Sequence, residues 1–475
     1  MAYSGQRDGM GPVFMLLIAA AIPAVGLGYL WRWADARVPE PKAKEAIVRE
    51  PTLPPAMVTP VLSVRRAPQT LATTSSEGTL VTSLETMTPL INDASCLVVQ
   101  LDGRTIYTKG GSTPVTPASN EKLITAAVAL EVLGPDYTFT TKALGTVVDG
   151  VVTGDLYLLG GGDPLLSTAP YPPTVSPDPP TDVTSLEVIA FQMAVAGITR
   201  VNGNVIGDES RYDTERFVPT WSTTIQNHEA GPLGALMVND ATRQLGTDKR
   251  YAEPAVGAAT DLIALLKGAG ISVGGRAAAG VAPAETPEIT AVTSVPLSTI
   301  VGEMLTTSDD NTAELLMKEM GYHVSGAPGT RQGGIDAIKG VLVTWGIDTT
   351  PLNVIDGSGL DSGDTVTCDL LMQVLQHAPL DGPVGAGLPV AGQSGTLQTL
   401  FVGSPVDGRL HAKTGTLNNA KALSGFVTTT AGSIVFSMLL AGPDIDATYQ
   451  PVWDQLAAVL GPYPSGPPVD ALQPR

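Results

Sequence analysis

The sequence predicts a mixed α/β (α+β) protein, with helix and sheet at both ends of the chain and a β-rich stretch inserted between them. Three observations lead there: a hairpin and helix between residues 95 and 134, short strands and Gly-rich turns from 143 to 295, and a return to helix and then strand after 297.

The first element is the run SCLVVQLDGRTIY at 95 to 107, in which two β-rich segments meet at Asp102-Gly103, a dipeptide suited to a tight hairpin turn. After Pro117 and Ala118, the run SNEKLITAAVALEVLG carries apolar residues at 123, 124, 127, 128, 130, 132 and 133 and stops at Gly134, which reads as a helix. The phrases GTVVDGVVTGDLYLLGG and VNGNVIGDES then suggest one or two β-rich modules. Helical character returns at 297–322 and 332–345, and HAKTGTLNNAKALSGFVTTTAGSIVFSMLLAG near the C-terminus reads as strands around turns. An inserted module explains this order, because a fold built from distant pieces of chain can draw one site from both.

The chain has 475 residues; at about 150 residues per domain this implies two to three domains. With 43% hydrophobic and 15% charged residues the composition is globular, and 52 Gly and 39 Pro imply many turns. A net charge of −19 and the lack of Lys/Arg clusters exclude a nucleic-acid partner.

Residues 11–30 form an uncharged, mostly apolar run, so 1–37 reads as an export segment, either an uncleaved membrane anchor or a signal peptide cleaved near Ala24. The flanking Arg7, Arg32 and Arg37 do not decide its orientation. Residues 38–70 are rich in Pro and charge and read as a linker; 168–182 reads as a surface loop and 462–475 as a flexible tail. The catalytic part is expected in two pieces, 71–142 and 297–461, around an insertion at 143–296.

Two cysteines, Cys96 and Cys368, either pair in an oxidising compartment or sit apart as small buried hydrophobes. With four scattered histidines there is no zinc-like spacing, so neither a metal nor a cofactor is expected.

The residues that carry chemistry fall in three places. Ser119 and Lys122 stand three apart at a helix start, on one face, so the amine can act as base for the hydroxyl once burial or nearby cations lower its pKa. The same spacing also arises from an N-cap serine and a solvated lysine. Lys413-Thr414-Gly415-Thr416 lies between strand residues and a turn. A lysine and hydroxyl there can bind a carboxylate, Gly415 permits close backbone approach, and Thr416 can offer a backbone N–H to an oxyanion. Ser308-Asp309-Asp310-Asn311 opens the helical run TAELLMKEMGY; it suits a helix cap, and it can also face the Ser119–Lys122 pair and relay protons. No Gly-x-Ser-x-Gly elbow, His-Glu-x-x-His motif or phosphate loop competes. Asp356-Gly357-Ser358-Gly359-Leu360 reads as a tight structural turn near the site.

In this order the three motifs resemble those of penicillin-recognising serine enzymes. The 186 residues between Lys122 and Ser308 (308 − 122) make the chain similar to class C low-molecular-mass penicillin-binding proteins, the D-alanyl-D-alanine carboxypeptidase/endopeptidase family. GGGDP at 160–164, GNVIGDES at 203–210, DGSGL at 356–360, AGQSGTL at 391–397 and AKTGTLNNAKALSGF at 412–426 agree. The resemblance implies a transpeptidase-like domain with an antiparallel sheet flanked by helices. It implies an exported enzyme that cleaves peptidoglycan stem peptides and crosslinks through an acyl-enzyme on Ser119, with β-lactams as inhibitors. Lys122 would be the base, Ser308 the second-motif hydroxyl, Lys413 and Thr414 the carboxylate contact, and the backbone N–H groups of Ser119 and Thr416 the oxyanion site.

One position departs from that pattern. The family usually has Ser-x-Asn, whereas Asp310 stands third here and Asn311 follows it. Either Asp310 occupies the site, adding negative charge near Lys122, or a local bulge brings Asn311 in. A silent peptidoglycan-binding scaffold and a β-lactamase are the competing functional readings.

Overall fold

The computed structural model describes residues 27–34, 67–175, 180–326, 328–467 and 469–472. Residues 27–34 form a short helix. No helix among the described residues is long and apolar enough to cross a membrane. The remainder of the apolar run, and the linker from 38 to 66, lie outside the described residues.

The body begins at Ala67. Helix α1 (Ala67–Glu85) starts inside the stretch read as linker. Its sequence is rich in Ser and Thr and poor in helix formers, but Leu80 and Leu84 sit one turn apart in the same buried cluster as Trp453 and Leu460. Tertiary burial, not propensity, stabilises it. Strands β1 (Cys96–Leu101) and β2 (Arg104–Lys109) follow as the expected hairpin. Asp102 at φ 50° and Gly103 at φ 77° supply the two left-handed residues of its turn. Helix α2 (Glu121–Leu133) ends at Gly134, whose φ is 88°.

A second sheet comes next, built from β3 (Thr140–Leu144), β4 (Leu156–Leu159), β5 (Val205–Asp208), β6 (Ala277–Ala279) and β7 (Glu288–Thr293). Its order is β6-β5-β4-β3-β7, with the first three parallel and the rest antiparallel. Helices α3 (Glu187–Val195) and α4 (Pro254–Gly268) belong to this region. The stretch expected to be β-rich is therefore mixed. Small residues on α4 conceal the helix from a periodicity reading: Ala255, Ala258 and Ala259 are buried, and they lie in one core with Val205 and Leu158.

Helices α5 (Leu297–Thr307), α6 (Asp310–Ser325), α7 (Arg331–Thr344) and α8 (Cys368–His377) then follow, with a further single turn of helix at Pro383–Ala386. The chain closes with β8 (Leu410–Leu417), β9 (Ala420–Thr429), β10 (Gly432–Ala441) and α9 (Ile445–Leu460). Strands β8-β9-β10-β1-β2 form one antiparallel sheet. Both its faces are covered. Val98 and Phe426 share a core with Leu123, Leu316, Ile338 and Leu371 of α2, α6, α7 and α8. Leu97, Val99 and Phe436 share another with Leu84 of α1 and Trp453 of α9. The alternation along β1 is the period-two geometry of a strand buried on both sides.

Cys96 and Cys368 form a disulfide that joins β1 to α8. The expected flexible tail is partly ordered: Tyr463 is buried, and a helical turn at Val469–Leu472 packs against α1.

Candidate active site

Ser119 sits in a turn just before α2 and is half-buried beside a cleft of about 260 Å³ lined by Ser308, Thr396, Leu400, Thr414, Thr416 and Tyr449. The turn is tightly held. Ala118, immediately before it, is left-handed at φ 46°. Asn120 donates to Ser424 Oγ at 2.9 Å, and Ser424 donates to Ser437 Oγ at 3.0 Å, so a buried polar chain ties the serine to β9 and β10. Gly415 makes the same join from β8: a Cβ there would lie 2.8 Å from Pro117 O. Left-handed backbone at a non-glycine residue is costly and gathers at functional sites.

Lys122 is fully buried, and its Nζ donates in three directions: to Ser119 Oγ at 3.1 Å, to Asp310 Oδ1 at 2.5 Å and to Ser358 O at 2.7 Å. An ammonium has three protons, so each has an acceptor. The loop 356–360 is part of the site, since its carbonyl holds the lysine. It approaches so closely that a Cβ on Gly359 would fall 1.9 Å from Ala118 O.

In the second motif it is the Asp310 side chain, and not that of Asn311, that meets Lys122. Ser308 ends α5 in a left-handed conformation, φ 67°, and Asp309 caps α6, accepting from the N–H groups of Asn311 and Thr312. That start turns Asp310 toward Lys122. Asn311 points elsewhere: its side chain accepts from Gly231 N at 2.7 Å and donates to Asp240 at 3.1 Å. A bulge that would place Asn311 on the lysine is not formed. Burial and the nearby Asp240 push the Asp309 carboxyl up to about 7. Ser308 through Asn311 also line an adjoining polar cavity of about 470 Å³.

Lys413, on β8, is likewise fully buried, and it donates to Thr414 O at 3.1 Å. Burial first, and then the charge of Lys122, hold its pKa well below the usual lysine range, with Asp310 opposing. The Thr414 hydroxyl bonds Thr396 Oγ1 at 2.8 Å, and Thr416 is exposed. All three motifs thus converge: Ser119, Ser308, Thr414 and Thr416 line one cleft, with Lys122 and Asp310 behind the serine.

Three contributors had no clear sequence signal of their own. Asn120 and Thr396 are ordinary polar residues until folded, and Ser358 acts through a backbone carbonyl. No group of three or more His, Cys, Asp or Glu suited to a metal occurs among the described residues.

A partly accessible serine against a buried lysine, with a second buried lysine on the facing strand edge, defines a penicillin-recognising type of serine enzyme. A model of the D-Ala-D-Ala carboxypeptidase 3 (S13) family matches residues 83–253 and 240–460. The chain is 29% identical over 461 residues to a D-alanyl-D-alanine carboxypeptidase of Actinomadura sp. strain R39, covering 79% of this chain and 82% of that one. It is 29% identical over 466 residues to carboxypeptidase DacB of Mycolicibacterium smegmatis, covering 95% and 96%. Among solved structures it resembles penicillin-binding protein 4 of Haemophilus influenzae, with TM-score 0.67 and 20% identity over 79% of this chain and 98% of that one. The fold is also shared with Bd3459, a peptidoglycan endopeptidase of Bdellovibrio bacteriovorus, at TM-score 0.51 and 19% identity over 79% and 94%.

The chain belongs to the D-Ala-D-Ala carboxypeptidase 3 (S13) family. It is a serine-type D-alanyl-D-alanine carboxypeptidase, as the motifs imply.

Proposed function

We propose that Ser119 attacks the carbonyl of the D-Ala-D-Ala bond in a peptidoglycan stem peptide and becomes acylated. The hydrogen bond between Ser119 and Lys122 is the observation that carries this reading. Lys122 gives one proton to Asp310, takes the serine proton as its amine, and the C–O bond forms as the oxyanion develops. The backbone N–H groups of Ser119 and Thr416 receive that charge. Collapse of the intermediate breaks the C–N bond, and Ser308 relays a proton to the departing D-alanine. Water then releases the shortened peptide and restores the serine.

Lys413 and Thr414 hold the terminal carboxylate of the substrate. A buried cation beside the site is costly in isolation and is offset when an anion arrives. Crosslink cleavage uses the same steps with a longer leaving amine, and a β-lactam acylates the same serine. Residues 71–142 and 297–461 supply the catalytic part, and 143–296 is the insertion. The substrate supports an exported, extracytoplasmic enzyme, with residues 11–30 as either an uncleaved membrane anchor or a cleaved signal peptide.

Mass spectrometry after exposure to a β-lactam tests the assignment. One covalent adduct is expected on the peptide that contains Ser119 and none in Ser119→Ala. An adduct on another residue, or one that persists in that variant, rejects it.

A further inference from the structure

The cleft beside Ser119 has one wall that the proposed reaction does not use. Its two serines and three threonines present hydroxyls, whereas Leu400, Tyr449 and Trp453 present apolar surface. Those three gather on one side for a reason that begins in β8. Side chains alternate along a strand, so Leu410, Ala412, Thr414 and Thr416 share a face. Leu410 and Ala412 lie in one buried cluster with Trp453 and Leu456 of α9, and the two threonines continue that face into the cleft.

Each part of the wall is tied to a threonine. The Thr414 hydroxyl bonds Thr396, in the helical turn at Gly395–Leu397, and the Leu400 N–H donates to Leu397 O at 3.0 Å at the end of that turn. Tyr449 is held from two directions. Its ring meets Trp453 edge-on, with centroids 4.8 Å apart at 76°, and Lys421 Nζ lies 4.6 Å from its centre. Lys421 is the register partner of Thr416 on β9, is buried, and pairs with Asp446 at 2.7 Å. The ring is thereby fixed relative to Thr416.

We propose that Leu400 and Tyr449 are specificity residues for the amino acid that departs: they contact its β-carbon and select an uncharged alkyl side chain there. This rests on the reading that Lys413 and Thr414 hold the terminal carboxylate, which belongs to that same amino acid. With the scissile carbonyl at Ser119 and the carboxylate at Thr414, its Cα lies between them and its side chain meets the apolar wall. A methyl packs there, and the methylene chain of a longer leaving amine can run along it. Glycine forfeits the contact. An acidic side chain would shed its water against Leu400, and the nearby Lys421 is already paired with Asp446.

The test measures kcat/KM of the full chain for acetylated tripeptides ending in D-Ala-D-Ala, D-Ala-Gly and D-Ala-D-Glu. Ratios between substrates on one preparation do not depend on the fraction folded, so a variant that folds poorly still reports. Wild type should favour departing D-alanine over glycine about tenfold, the low end for one methyl group in an apolar site, and Leu400→Ala and Tyr449→Ala should each bring that ratio to about threefold or below. Leu400→Lys supplies a charge partner on a flexible stem and should raise D-Ala-D-Glu relative to D-Ala-D-Ala by about tenfold.

A wild-type preference for D-alanine over glycine below about twofold, or ratios that stay at their wild-type values in every variant, overturns the proposal. A C-terminal amide separates the two levels. If wild type cleaves the amide of D-Ala-D-Ala as fast as the free acid, the carboxylate reading has failed and the wall with it. If the free acid is preferred by about tenfold or more while the side-chain ratios stay unmoved, only the wall has failed.

Discussion

The two buried lysines of the site are equally shielded from water and differently satisfied. Lys122 has a hydroxyl, a carboxylate and a carbonyl around its Nζ, whereas Lys413 has the carbonyl of its own neighbour, Thr414. The first is a finished network. The second is a buried cation whose charge is opposed by burial and by Lys122, so it gains most from an anion brought by the substrate. One lysine is equipped to exchange protons within the protein and the other to receive a ligand.

The contrast can be broken most severely at Lys122. Lys122→Met should lower acylation by about 10² to 10⁴, the usual range for a lost general base, and leave β-lactam binding before acylation nearly intact. Stopped-flow labelling separates those two steps.

Lys413→Ala should instead weaken capture of the carboxylate, with kcat/KM for a D-Ala-D-Ala peptide falling about 10-fold to 10²-fold, the order of a lost charged hydrogen bond. The cationic form of Lys413 is lost as pH rises through its depressed pKa. Wild-type kcat/KM should therefore decline on the basic side below the ordinary lysine range. A basic limb at the same pH in Lys413→Arg would detach it from this residue.

Asp310→Asn sharpens the comparison at smaller amplitude. Without the carboxylate the Lys122 ammonium loses its counter-charge and the acceptor that takes its proton in the proposed acylation, so the acylation rate constant should fall. The fall at neutral pH should be about tenfold. A wild-type rate would show that the ion pair does not govern the base.

The smallest effect on chemistry is expected from the disulfide. Cys96→Ala with Cys368→Ala should cost about 2–5 kcal/mol of stability. Acylation of the folded fraction should be unchanged, with thermal denaturation and active-site titration as the two readouts.

Much of this site was legible in the sequence, for reasons that differ by residue. Ser119, Lys122 and Lys413 announce themselves because their spacing and order are chemical requirements, and Gly415 because a strand must pass close to the serine turn. The choice between Asp310 and Asn311 was not legible. It turns on where α6 begins, and the left-handed Ser308 with its Asp309 cap determines that start. Ser358 stayed hidden because it acts through a backbone carbonyl. Helices α1 and α4 were missed for opposite reasons: α1 has poor formers stabilised by packing, and α4 has small residues whose burial blurs the periodic stripe.

The covalent bond between Cys96 and Cys368 encloses the whole second sheet within one ring of chain. A protease that nicks the protein once between those cysteines, after Lys122 and before Ser308, would put the nucleophile and its base on one fragment and the other two motifs on the next. The two fragments would still migrate as a single species until a reductant is added. In an environment shared with hydrolases, the ring makes the assembled site tolerant of a break in the polypeptide.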